Sequence, residues 1–323
     1  MDNEQENRKP RVSIIIPCFN YSHFIPDTLR SLQQQVFTNW ECWLVDDGST
    51  DSTAAVVKEI AATDARINYL YQPNAGQPAA RNTGLKHARA GYIQFLDADD
   101  VLQPLKFVEQ VSYLDTHAAT DIVYGSVRYF KQYPPVELFI NRWDNHMQEW
   151  MPGTSGKGFP LVKALVQQNI FELGCALFRK TATDAIGLFN TQLKGVEDYD
   201  YCFRAVVKGL CFTYLDKKDS YCLMRHHPDS FSKGLLHMYK KELQLRSQME
   251  EKLKPIGDKE LLLLNKRHYS LRLKKLQNLI IDYTIKGIQS PVDFQEIRWM
   301  FTNSSPKQNW YFFPRLLKAK LLR

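Results

Sequence analysis

Residues 74–100 read NAGQPAARNTGLKHARAGYIQFLDADD, a helix-forming run that passes into a short apolar stretch and stops at three carboxylates. Ala79 to Ala88 predicts a helix and Tyr92 to Leu96 a buried strand, and Asp97, Asp99 and Asp100 stand where that strand ends. The same order runs upstream. A β-branched stretch from Val12 to Ile16 ends at Pro17, and an apolar run from Cys42 to Val45 ends at Asp46 and Asp47, so both read as buried parallel strands. Between them, Phe24 to Gln35 carries Phe24, Ile25, Leu29 and Leu32 at helical spacing. The Ser49-Thr50-Asp51 group predicts a cap for a helix from Ala54 to Ala62, and Ile67 to Tyr71 predicts a further strand. This alternation defines an α/β chain with a doubly wound sheet, and such sheets gather their functional groups in the loops where strands end.

The chain has 323 residues, 44% of them hydrophobic, which is ample for one large domain with an appendage. Its formal net charge of +7 permits an anionic substrate or a membrane surface without demanding nucleic acid. The excess of Lys and Arg lies late in the chain, and no RRM, KH or zinc pattern accompanies it, which argues against a nucleic-acid partner. Pro17-Cys18-Phe19-Asn20 follows the first strand in place of a GxGxxG turn, which argues against a dinucleotide oxidoreductase. The six cysteines show no CxxC spacing and read as reduced thiols. MDNEQENRKP lacks the basic-then-apolar order of a signal peptide, and no apolar run approaches the roughly 18 residues of a spanning helix, so a cytoplasmic location is expected.

Residues 1–10 form a polar tail, 11–115 a nucleotide-binding half and 116–232 a less regular half with a Pro-, Trp- and Tyr-rich stretch from Tyr133 to Pro160 that reads as long loops over a cleft. Beyond Lys233 the composition shifts to Leu, Lys, Glu, Gln and Arg, so residues 233–323 read as a basic helical region.

Taken together, IIIPCFNYSHFI (14–25), WLVDDGSTDST (43–53) and residues 74–100 resemble the nucleotide-binding half of family 2 glycosyltransferases of the bacterial polysaccharide type. The resemblance covers about the first third of the chain and implies a GT-A fold with a mixed sheet. It implies that Asp47, with Asp46 beside it, reads the base of a UDP-sugar. A carboxylate accepts the imide N–H of uracil, and Pro17 and Tyr21 offer flat surfaces to the ring. Gly76 lets backbone approach a ligand closely, and Arg81 offers a fixed positive fork to phosphate oxygens or to a neighbouring carboxylate.

Asp97-Ala98-Asp99 matches the family's DxD signature, which implies that Asp99 ligates Mn²⁺ or Mg²⁺ and that Asp97 contacts the donor sugar or ribose. Glu197-Asp198 resembles the family's ED motif, which assigns Asp198 the role of catalytic base in inverting transfer, with Glu197 in reserve. Met224 to Ser232 resembles a YRxHxxSxS stretch with Met224 in place of Tyr, which implies His227 at the metal and Arg225 at phosphate. The activity so implied is a hexosyl or N-acetylhexosaminyl transferase of cell-envelope polysaccharide assembly, acting on a saccharide or lipid-linked acceptor. The competing reading is a catalytically silent nucleotide-sugar-binding module.

Trp143 and Trp150 read equally as acceptor-stacking or as packing residues. The terminal NWYFFPRLLKAKLLR has two readings. Either Trp310, Tyr311 and Phe312 sit at headgroup level on the inner face of the cell membrane, with Arg315, Lys318, Lys320 and Arg323 facing anionic lipid, or the segment packs as a helical appendage.

Overall fold

Apolar strands account for the first half of the structure. The computed structural model describes residues 9–140, 149–227, 235–286, 312, 314–316 and 318. β1 (Val12–Cys18), β2 (Trp40–Asp46), β3 (Ile67–Tyr71) and β4 (Tyr92–Phe95) pair in parallel in the order β3-β2-β1-β4, and every residue of β1 and β4 is buried. Strands buried on both faces are largely apolar, which is why their sequences run without alternation, and the polar exceptions Ser13 and Gln94 are hydrogen-bonded, to Glu41 and to the Gly174 carbonyl.

The sheet continues through β8 (Ala176–Arg179), which runs antiparallel to β4 and to β6 (Ile122–Tyr124), and ends in β9 (Phe212–Tyr214). It is therefore a mixed sheet of seven strands, with the parallel half supplied by the first hundred residues. The sequence reading placed each of the first four strands within a residue or two of its observed bounds.

Helices α1 (Ile25–Gln33), α2 (Thr53–Ala61) and α3 (Gln77–His87) connect the parallel strands. At α1 and α3 a proline in the first turn supplies a preset φ where the N–H has no intrahelical partner. Gly84 lets α3 lie flush on β1, because a Cβ there would meet Ile15 Cγ2 at 2.4 Å. The next elements are α4 (Lys106–Thr116), α5 (Phe159–Gln167), α6 (Lys180–Ile186) and α7 (Glu197–Val207).

A second sheet has three strands: β5 (Val101–Leu102), β10 (Cys222–Arg225) and β7 (Val127–Phe130). β5 follows the acidic cluster directly, and β10 lies antiparallel against it, so the chain after β10 returns to the carboxylates at residues 97–100.

Contacts divide the chain into two units, Met1–Ser230 and Phe231–Arg323. In the second unit α8 (Leu235–Leu253) and α9 (Lys259–Ile285) are joined through a short turn at Lys254–Ile256. Asp258 caps α9 by accepting from the Leu261 N–H at 3.0 Å. Leu236, Leu243, Leu273, Leu276, Ile280 and Ile281 form its core together with Phe312 and Leu316. The tail's Phe312 is only 1% exposed. That corrects the placement of Phe312 at a membrane headgroup, because its ring serves the core of this unit. Arg315 and Lys318 are exposed, and Trp310, Tyr311, Lys320 and Arg323 lie outside the described residues. All six cysteines are free thiols.

Candidate active site

The loops that follow β1, β2 and β3 meet at one edge of the sheet. Asp46 ends β2 with both oxygens engaged: Oδ1 accepts from the Ser49 N–H at 2.8 Å and Oδ2 from the Tyr69 hydroxyl at 2.6 Å. Asp47 holds the loop before α3. Its Oδ1 accepts from Gln72 Nε2 at 2.7 Å and from the Ala75 N–H at 2.9 Å, and its Oδ2 accepts from the Gly76 N–H at 2.7 Å. Gly76 has φ +95°, a region glycine enters without steric cost. Asp51 accepts from the Ser22 and Thr53 N–H groups, tying the first two loops together at the entrance of α2. Burial opposes its charge, but these hydrogen bonds outweigh burial and draw the carboxyl down to about 2. Pro17 is buried in β1, and Tyr21 stands edge-on to Phe24 and His227, with ring centroids 5.5 and 5.9 Å away.

Arg81, on α3, is buried and bridges two carboxylates from distant parts of the chain. Its Nη2 donates to Asp97 Oδ1 at 2.8 Å and its Nη1 to Glu197 Oε1 at 2.6 Å. Burial works against the guanidinium charge, but Asp97 and Glu197 more than compensate, so its pKa rises. The other Glu197 oxygen accepts from the Gly195 N–H at 2.6 Å, so Glu197 is held at both ends. Asp198 follows at the N-terminal turn of α7, with Asn169 Nδ2 3.4 Å from its Oδ2. Burial, and next the neighbouring Glu197 charge, raise the Asp198 carboxyl to about 7. Asp198, Asp97, Arg81 and Met224 line one cavity.

Two residues after Asp97, Asp99 meets a histidine: His227 Nε2 lies 2.9 Å from Asp99 Oδ2. The His227 ring is buried, and its Nδ1 has no partner among the described residues. A carboxylate and an imidazole converging at this distance suit a divalent cation such as Mn²⁺ or Mg²⁺. Among the described residues no group of three or more His, Cys, Asp or Glu side chains is gathered around a metal position, so a cation here would draw its remaining ligands from substrate oxygens or water. Asp100 is buried, accepts from the Arg225 N–H at 2.9 Å, and has its pKa pushed well up by burial and then by the charges of Asp99 and Asp97.

Arg225 turns its guanidinium inward. Nη2 donates to Asp27 Oδ2 at 2.9 Å, Nε donates to the Asp99 carbonyl at 3.0 Å, and the group lies between the rings of Phe24 and Phe130. Its charge is thus matched by Asp27, a residue of α1 that no motif marked. Two cavity-lining or site-contacting residues were also unmarked in the sequence, Glu172 and Asn169. They lie in NIFELG, an unpatterned link between α5 and β8, and only their polarity within an apolar stretch sets them apart. Trp150 is partly buried, and Trp143 lies outside the described residues.

A mixed sheet with a parallel 3-2-1-4 half, acidic residues after β4 and a second carboxylate pair opening a later helix is the GT-A arrangement. The sequence pattern of Glycosyl transferase family 2 matches residues 13–186, more than half of the chain, and the chain belongs to that family. Among solved structures, Staphylococcus aureus TarS residues 1–349 in complex with UDP-GlcNAc shares the fold at 16% identity, with a TM-score of 0.59 over 96% of this chain and 89% of that one. The mannosyltransferase PcManGT of Pyrobaculum calidifontis, in complex with GDP-Man and Mn²⁺, shares it at 17% identity, with a TM-score of 0.58 over 97% and 86%. Among curated relatives, the putative teichuronic acid biosynthesis glycosyltransferase TuaG of Bacillus subtilis is 33% identical over 136 residues, 42% of this chain and 54% of TuaG. The matched segments span 60% or less of the length of such relatives.

Proposed function

We propose that the chain is an inverting glycosyltransferase that moves a sugar from a UDP-sugar to an acceptor hydroxyl. The observation that carries the reading is the Arg81 bridge. It fixes Asp97, on the donor side, against Glu197, the residue next to a carboxylate raised to about 7. A base must be ionised yet basic enough to take a hydroxyl proton, and a pKa near the working pH meets both demands. In the proposed step the acceptor oxygen attacks the anomeric carbon as its proton passes to Asp198. The bond from that carbon to the diphosphate breaks, and the diphosphate leaves with the electron pair. Glu197 is a positioning residue, since both of its oxygens are already engaged.

Uridine is supported by Asp47. Three hydrogen bonds occupy its carboxylate, which has about four acceptor positions, leaving one for a base N–H. Asp99 and His227 are the residues that would hold Mn²⁺ or Mg²⁺, and a bound cation offsets negative charge on the departing diphosphate. Arg225, already matched by Asp27, serves the site by fixing the Asp99 backbone. TuaG's name, which gives it a part in teichuronic acid biosynthesis, supports an acceptor that is a growing surface polysaccharide; a lipid-linked acceptor, met by peripheral contact at the inner face of the membrane, belongs to the same reading. Among the described residues no helix is long and apolar enough to cross a membrane.

The test is UDP release from a panel of UDP-sugars, each with Mn²⁺, with Mg²⁺ and with chelator. Release from one donor, dependent on metal and lost in Asp99→Asn and Asp198→Asn, supports the reading and names the sugar. UDP that neither binds in calorimetry nor is released from any donor overturns the nucleotide site.

A further inference from the structure

The link between α5 and β8 is fixed at both ends. At its start Ile170 and Phe171 are fully buried, and the Tyr199 hydroxyl of α7 donates to the Leu165 carbonyl of α5. At its end the Cys175 carbonyl accepts from Lys106 Nζ at 3.1 Å, from Gln110 Nε2 at 2.9 Å and from the Gly125 N–H at 3.1 Å. The Gly174 carbonyl accepts from Gln94 Nε2 at 3.0 Å. Lys106, Gln110 and Gln94 are all buried, where a hydrogen bond is stronger than in water. A link held in this way presents the half-buried Asn169 to Asp198, with Nδ2 3.4 Å from the carboxylate Oδ2. The other end of the amide, Oδ1, is buried and has no partner among the described residues. Buried polar atoms are nearly always paired, so an orphan on a side chain that touches a titrating carboxyl points to a partner that arrives with the reaction.

We propose that Asn169 is a positioning residue that holds the Asp198 carboxyl in both of its protonation states. This rests on the reading of Asp198 as the base. Nδ2 donates to the carboxylate before the acceptor hydroxyl gives up its proton. Once that proton has passed to Asp198, the amide turns over and Oδ1 accepts from the new O–H. A primary amide suits both states because it carries donor and acceptor on one planar group. The length of the contact is ordinary for a catalytic pair without substrate, which tightens in the complex. Of the two bonds, the one to the ionised carboxylate is charge-assisted and stronger, so Asn169 on balance favours the ionised form. Burial, then Glu197 and Asp97, oppose that form, and the Tyr199 N–H and Arg81 support it. Asp100 and Glu172 line the same cavity, and the Cys202 thiol, one turn along α7, is kept neutral by burial.

The test is a carboxyl titration by NMR of the full chain with isotopically labelled aspartate, the Asp198 signal being the one missing from Asp198→Asn. UDP affinity is measured by calorimetry on the same samples. The wild-type signal is expected to titrate at about 7. Asn169→Leu keeps the shape of the side chain and donates nothing, and it is expected to raise the midpoint by about one pH unit, which cuts the ionised fraction at pH 6 about tenfold. Asn169→Ala is expected to raise it by less, because the space left admits a water that donates in place of the amide. UDP affinity stays unchanged in both. A role in packing alone runs the other way, since alanine loses more contact than leucine. A midpoint unmoved in both variants, or moved further by alanine than by leucine, overturns the proposal and leaves Asp198 as the base. An Asp198→Asn variant that releases UDP as fast as the wild type overturns the base itself, and the role of Asn169 with it.

Discussion

A guanidinium clamped between two carboxylates keeps its charge when buried, and by that means Arg81 holds Asp97 and Glu197 in fixed relation. Lysine is a poor substitute, because one ammonium does not span two separate acceptors as a planar fork does. Arg81→Lys is therefore expected to lower kcat on the order of 100-fold while UDP binding, followed by calorimetry, changes little. Asp198 is expected to govern the pH profile. As an acid whose pKa is raised to about 7, it accepts a proton only when ionised, so kcat/KM falls about tenfold per pH unit below 7 and levels off above it. In Glu197→Gln one source of that rise is gone, and the acid limb is expected to move to lower pH; a limb that stays in place means that another group titrates. The positions of Asp97, Asp99 and Asp198 were legible from motif spacing, because those residues sit at strand and helix ends. The inward turn of Arg225 was not, because its partner Asp27 lies 198 positions away.

At the level of elements, β4 and α3 carry the site, and two glycines set how closely α3 is seated. Gly84→Ala drives a methyl to 2.4 Å from Ile15 Cγ2 in a packed core, an overpacking expected to cost about 1–3 kcal/mol and to lower Tm. Gly76→Ala strains a backbone at φ +95° and meets Lys194 Cε at 2.4 Å, so it is expected to weaken UDP binding as well as stability. Equal Tm values for Gly84→Ala and wild type would show that α3 is not seated as described. The first four strands and the helices between them could be read from local pattern, since continuous apolar runs and helical spacing are properties of neighbouring residues. β5 and β10 were not read, because strands of two and four residues are defined by the partner they pair with.

For the whole molecule, ligand linkage offers a test that needs no acceptor. At about 100 times its Kd, UDP stabilises the folded state by about 2.7 kcal/mol, visible as a rise in Tm. With Mn²⁺ that rise is expected to exceed the rise with chelator, and the difference is expected to vanish in His227→Ala; an equal rise in all samples removes Asp99 and His227 as metal residues. The sequence by itself determined the α/β alternation, the placing of carboxylates at strand ends, the family resemblance and the change to a basic helical region near residue 233. These follow from periodicity and composition, which a linear chain displays. Only the tertiary structure decided that Arg81 spends its charge on Asp97 and Glu197, that Asp198 is raised to about 7, and that Phe312 belongs to a core. Charge compensation and burial depend on distances through space, and Arg81 and Glu197 meet across 116 positions of chain.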